Sequence, residues 1–173
     1  RLSSLNARDT ESAAIGDAVD YVQGVTGVHT SAEDAWVQRK GVCQDIAHLA
    51  IGALRSVGIP ARLAGVAEWG DRPGNHTWVE VWDSDGWHFI EYYPDEKGLD
   101  HGWILEPIAA LDPANPASRV VARSRLLSAK SLYRLPWAPE RFDLTGEDRT
   151  AVYQKLPGGA PGTATADSGV VSF

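Results

Sequence analysis

The chemistry of this sequence gathers around one thiol. Cys43 is the only cysteine in 173 residues, and it stands in Gly41-Val42-Cys43-Gln44-Asp45 at the head of a stretch with helical spacing. A cysteine at a helix N-terminus feels the positive end of the dipole, which favours the thiolate, the form that attacks acyl carbon. Gly41 just before it permits close approach of a substrate backbone. The plainer alternative is a buried structural thiol. An imidazole separates the two. His76 follows the Gly74-Asn75 turn and opens an alternating run. At such a strand edge a scaffold holds a reactive group open to solvent. A thiol needs its base close in space, not in sequence. The third group orients the ring. A hairpin centred on residues 84 and 85 sets 76 opposite 93 and 78 opposite 91. That brings Glu91 near His76 on the neighbouring strand, where a carboxylate accepts the imidazole N–H and stabilises the imidazolium. Asp95, just past Pro94, is the rival acid, and an ordinary solvent-facing role stays open for Glu91.

Several elements must position these groups. Ala13, Ala14, Ile15, Ala18, Val19 and Val22 predict an amphipathic helix over residues 10–25. Thr30 and Ser31 with Glu33 and Asp34 mark a capped start to a short helix through Ala35, Trp36 and Val37, ended by Lys40-Gly41. Ile46, Leu49, Ala50, Ala53, Leu54 and Val57 predict a helix over 42–57, stopped by Gly58-Ile59-Pro60. Residues 61–67, 77–82 and 87–93 read as strands. Asp71 to Asn75 has turn chemistry, and Asp83-Ser84-Asp85-Gly86 is a hairpin turn. The expected fold is α+β: the nucleophile helix packed on an antiparallel sheet over 60–94. Beyond Pro94, Leu99 to Leu111 holds a short helix, and Val120-Val121 favour strand within 118–127. Residues 131–139 read as extended. Residues 1–156 read as one domain and 157–173 as a flexible Gly/Pro/Ala/Thr tail.

Three spaced motifs now carry a resemblance. They are Gly41-Val42-Cys43-Gln44-Asp45-Ile46-Ala47-His48-Leu49, then Leu54 to Arg62 with its Gly58-Ile59-Pro60-Ala61-Arg62, then Asn75-His76-Thr77-Trp78-Val79-Glu80-Val81-Trp82. Together they resemble the transglutaminase-like superfamily, whose members are similar to papain in the order and use of Cys, His and an acid. The resemblance covers residues 31–95. It implies a papain-like, transglutaminase-core fold, with the nucleophile at Cys43 and the base at His76. The family's acid position falls on Glu91, where Asp is usual. Glu is one methylene longer, so either the backbone is displaced or Asp95 takes the role. The resemblance also implies an oxyanion donor shortly before the nucleophile. Gln38 is the nearest, and Trp36 is another; such a donor contributes about 3–4 kcal/mol to the transition state. Trp36 and Trp69 are candidates for the substrate groove. Asp45 is read as a helix cap or loop holder, and His48 as structural. Leu99-Asp100-His101-Gly102-Trp103 is a second His/Trp cluster that either packs on the surface or walls the cleft.

Composition narrows the classes. Hydrophobic residues make 43% and charged residues 23%, ordinary for a globular domain. The net charge of −7 argues against a nucleic-acid partner, which needs a basic face. No apolar run approaches the roughly 18–20 residues of a membrane span, so no membrane insertion is expected. The chain has no Met and no apolar leader. It is therefore expected to be a fragment or processed form of a bacterial-type protein, compatible with an extracytoplasmic location. His76, His101, Cys43 and an acid lack the short spacing of a zinc motif, so no metal or other cofactor is expected. The expected activity is thiol-dependent acyl transfer on a protein or peptide substrate through a thioester. Hydrolysis by a cysteine protease or amidase is favoured over protein-glutamine cross-linking, and the alternative outside catalysis is a binding module on the same fold. Oligomeric state is not fixed by the sequence.

Overall fold

The structure, a computed structural model, describes residues 14–69, 74–90, 99–112, 114–123 and 146–156. A short helix α1 (residues 14–18) precedes β1 (Asp20–Tyr21), α2 (Ala32–Gln38) and β2 (Lys40–Gly41). The nucleophile helix α3 (Cys43–Ser56) is followed by β3 (Ala61–Val66), β4 (His76–Asp83) and β5 (Gly86–Ile90). After these come α4 (Leu105–Ala109), a 3-10 turn (Pro116–Ser118), β6 (Val121–Arg123), β7 (Gly146–Asp148) and α5 (Thr150–Tyr153).

The helix expected over 10–25 does not extend past residue 18. Asp20 and Tyr21 instead pair in parallel with Lys40 and Gly41. Asp20 N–H donates to Arg39 and Val22 N–H to Gly41, so these backbone groups are satisfied by a distant segment rather than by a helix. Gly24 turns the chain away at a positive φ of 78°. The second helix starts as expected. Ser31 caps it, with its hydroxyl accepting from Asp34 N–H and the Asp34 carboxylate accepting from Ser31 N–H; a cap of this kind contributes about 1 kcal/mol. Arg39 in the left-handed region ends it.

Helix α3 buries Ile46, Ala47, Ala50, Ile51 and Leu54 along one stripe. Val57, expected on that stripe, is exposed at the C-terminal cap. There Gly58 takes a φ of 82°, Ile59 N–H reaches Leu54 and Gly58 N–H reaches Arg55, which satisfies the last carbonyls and turns the chain into β3.

The main sheet has the order β5-β4-β3-β6-β7, and every pair is antiparallel. The hairpin turns on Ser84-Asp85, with Asp83 opposite Gly86 and Val79 opposite Ile90, the register expected from the sequence. Alternation splits the strands between two cores. Val79, Val81, Ala61 and Ile90 pack with Ala47, Ala50, Ile51 and Leu54 of α3. Trp78, Ala64, Val66 and Phe89 pack with Ile104, Leu105, Ile108 and Tyr153 from the α4 and α5 side. The sheet is thus covered on both faces, where the sequence expectation covered one. Residues 71–73 of the predicted turn, the end of the predicted 87–93 strand, 124–127, 131–139 and 157–173 lie outside the described residues.

Candidate active site

Cys43 is the first residue of α3, as expected, and is 8% exposed. The N-cap, Val42, has no side-chain acceptor. Asp45 supplies the missing partner: its Oδ2 accepts the Val42 N–H at 2.8 Å and the Thr26 hydroxyl at 2.6 Å. Asp45 is 1% exposed and ties the loop at Thr26 to the helix start. Its carboxylate also explains Gly41. A β-carbon on Gly41 would sit 2.7 Å from the Asp45 Cβ, so glycine here makes room for Asp45. The sequence had assigned that room to a substrate backbone.

The thiol packs against Ile15, Val19 and Ile46, with Tyr21 alongside. Tyr21 arrives through the β1–β2 pairing, where it faces Gly41. Burial raises the Tyr21 hydroxyl, the charge at Cys43 adds to this, and a bond with Gln23 opposes it. Sequence reasoning missed Tyr21, because a two-residue parallel pairing across about twenty residues leaves no local pattern.

His76 opens β4, as expected, opposite Val66 of β3. Gly65 allows the strands to meet there, since a β-carbon on it would lie 2.7 Å from the His76 carbonyl oxygen. The connection over 57–60 is short and α3 packs on β3, so helix and strand run antiparallel. The N-terminus of α3 therefore lies toward the end where β3 finishes and β4 begins. Cys43 and His76 come to the same end of the sheet. Their side chains do not share a described contact: His76 lies on the Trp78 face of β4, whereas α3 packs on the Val79–Val81 face. Among the described contacts no hydrogen bond joins the thiol to the imidazole.

The imidazole is only 1% exposed. Three indoles face it: Trp103 with ring centroids 4.9 Å apart, Trp78 at 5.8 Å and Trp69 at 6.0 Å. Burial in this apolar surround disfavours the charged ring and pushes its pKa down to about 4. His76 is therefore neutral near pH 7 and has the form that accepts a proton.

Trp69, a groove candidate, is a buried wall of this box, 6.4 Å from Trp78 and 6.1 Å from Trp103. Trp36, the other, is exposed on α2 with the Arg39 guanidinium 3.6 Å above its ring. Gln38 is exposed at the end of α2. The described contacts place neither Gln38 nor Trp36 against Cys43 or His76. Glu91 and Asp95, the two candidate acids, lie outside the described residues. Among the described residues no three of His, Cys, Asp and Glu gather as a metal would require, and no helix is long and apolar enough to cross a membrane.

The sequence is similar to several known proteins. A model of the transglutaminase-like superfamily matches residues 7–92, which spans both Cys43 and His76. A Mycobacterium leprae protein, itself uncharacterised, is 39% identical over 80 residues, 41% of this chain and 29% of its own length. An uncharacterised Mycobacterium tuberculosis protein is 35% identical over 72 residues, 36% of this chain and 23% of its own. This chain thus spans less than a third of these relatives. Among solved structures, a Cytophaga hutchinsonii chain provisionally described as a cysteine protease aligns at 32% identity. It covers 56% of this chain and 33% of that one, with a TM-score of 0.42. Another, described as a TGase, aligns at 16% identity over 58% of this chain and 33% of that one, with a TM-score of 0.37.

Proposed function

From a chain that belongs to the transglutaminase-like superfamily through residues 7–92, a thiol-enzyme family, we propose a domain that cleaves peptide or carboxamide bonds through a Cys43 thioester. The observation that supports this reading is that the one thiol is the first residue of α3 and His76 the first residue of β4. Cys43 is the nucleophile and His76 the base. The Cys43 sulfur attacks the carbonyl carbon as its proton passes to His76. That proton then goes to the leaving amine or ammonia, and the C–N bond breaks to leave the thioester. Water attacks the thioester, His76 takes a proton from it, and the acid departs as the thiol reforms. Helix α3 directs its free N–H groups to the carbonyl oxygen as it becomes an oxyanion. Glu91 orients the imidazole, with Asp95 the alternative, and Gln38 is the candidate side-chain donor to the oxyanion. Hydrolysis is favoured over cross-linking. Residues 1–156 are proposed to act as a single domain.

The test uses a library of peptide amides with and without an added primary amine. Wild-type chain is expected to release amine or ammonia and to give an acyl-enzyme mass on Cys43. Cys43→Ala should fall to background. Turnover unchanged in Cys43→Ala sinks the enzyme reading. Incorporation of the added amine in preference to water would replace hydrolysis by transfer. Glu91→Gln and Asp95→Asn, made separately, identify the orienting acid by which one lowers kcat further.

A further inference from the structure

Trp103 behaves unlike its neighbours. Ile104 and Leu105 are fully buried, yet Trp103 is 42% exposed. Its indole keeps a large apolar area in water while packing on Trp69 and His76, so its place is not set by burial in the core alone. What fixes it is visible on either side. Ile104 and Leu105 anchor the chain in the core after it. Before it, Asp100 is fastened to β5 by three contacts. Its N–H donates to the Phe89 carbonyl at 3.0 Å, its Oδ1 accepts the Phe89 N–H at 3.0 Å, and its Oδ2 meets His88 Nδ1 at 2.5 Å. Asp100 holds a φ of 59° to do so, a left-handed conformation that few residues other than glycine, asparagine and aspartate adopt. The other His88 nitrogen faces Asp85 at 2.9 Å. Burial pulls the His88 imidazole down, but hydrogen bonds to Asp100 and Asp85 and their charges outweigh it and raise its pKa. His88 thus favours the doubly protonated form that can serve both carboxylates.

We propose that residues 99–103 form a clamp, fastened to β5 by Asp100, that holds the Trp103 indole across the His76 imidazole. Trp103 is then a positioning residue: it excludes water from one face of the base and fixes the plane of the ring. This rests on His76 being the base of the proposed acyl transfer. The described groups facing the imidazole are Trp69 from the segment after β3, Trp78 of β4, Val66 of β3 across the register and Trp103. None of them titrates near neutral pH, so each shapes the ring's proton affinity by exclusion of water rather than by charge.

The experiment follows the imidazole directly, by NMR titration of chain labelled on histidine, with His76→Gln to identify its signal. In Trp103→Ala the His76 midpoint is expected to rise from about 4 by about one unit or more. The acid limb of peptide-amide hydrolysis should move with it. Trp103→Phe should restore most of the wild-type value. Asp100→Ala should give part of the same rise without touching the indole, which keeps the test intact if Trp103→Ala does not fold. A His76 midpoint unmoved by Asp100→Ala and by whichever Trp103 variants fold overturns the clamp. A shifted midpoint in a chain whose Cys43→Ala variant keeps its turnover leaves the clamp standing and removes the acyl-transfer reading instead.

Discussion

His76 and Glu80 lie four residues apart on one face of β4, and both are almost wholly buried, at 1% and 0% exposure. Their surroundings are opposite. Glu80 is met by charge and hydrogen-bond donors. Arg62 Nε lies 2.6 Å from its Oε2, while Arg149 Nε at 3.1 Å and the Tyr153 hydroxyl at 2.9 Å share its Oε1. His76 is faced by indoles. A buried carboxylate with three donors is an anchor: it joins β3, β4 and the C-terminal α5 into one body, and its charge is compensated where it stands. An imidazole pressed into aromatic rings has its charged form disfavoured, so burial lowers its proton affinity and holds it neutral near pH 7. One strand face therefore carries a structural ionisable group and a chemical one, and the difference lies in what surrounds them, not in depth.

Substitutions can break this contrast. The largest stability effect is expected on the Glu80 side. Glu80→Ala leaves the buried Arg62 guanidinium and the part-buried Arg149 paired with the half-exposed Glu147 and should cost about 3 kcal/mol in urea unfolding. A loss below about 1 kcal/mol would mean that the network holds nothing together. His76 should behave in the reverse sense. Its folded pKa of about 4 lies below the unfolded value of 6.5. The unfolded chain thus binds the extra proton first as the pH falls. Stability from the neutral ring is full above pH 6.5 and is lost as the pH drops toward 4, by about 3 kcal/mol across that window. His76→Phe should flatten this part of the stability–pH curve and abolish turnover while leaving the fold stable at pH 5. A slope that persists in His76→Phe would assign the titration to another group.

The legible part of the molecule was the part written in local pattern. The stripe on α3, the stop at Gly58-Ile59-Pro60 and the two-residue turn at Ser84-Asp85 follow from spacing and turn chemistry, and the structure has each of them. The second core was not legible. Trp78 and Glu80 alternate with Val79 and Val81, which reads as one buried and one open face. Only the later chain, through Ile108 and Tyr153, covers the other side, and nothing in its sequence says where it docks. Around the site the same division holds. Cys43 and His76 announce themselves by type and position. Tyr21 beside the thiol and Trp103 beside the imidazole come through pairings distant in sequence. Gly41 has a further reason that spacing did not show, since its missing side chain makes room for Asp45.

The smallest expected effect is also the one that joins the two regions. Trp78 stands between them: its ring packs 5.8 Å from His76 and its Nε1–H donates to the Tyr153 hydroxyl at 2.7 Å. Burial, and then the charge of Glu80, raise the Tyr153 hydroxyl well above its ordinary value. It stays protonated and can donate to Glu80 while accepting from Trp78. Tyr153→Phe removes that hydroxyl, leaves the Trp78 N–H buried without its acceptor, and keeps both guanidiniums on Glu80. The expected cost is about 1–2 kcal/mol, below that of Glu80→Ala. Combined with His76→Phe in a double-mutant cycle, it asks whether the anchor and the imidazole are energetically one. A coupling above about 0.5 kcal/mol means that Trp78 transmits the loss and that the network holds the indole box in shape. Additivity within about 0.3 kcal/mol means that the two regions share a strand but not an energy.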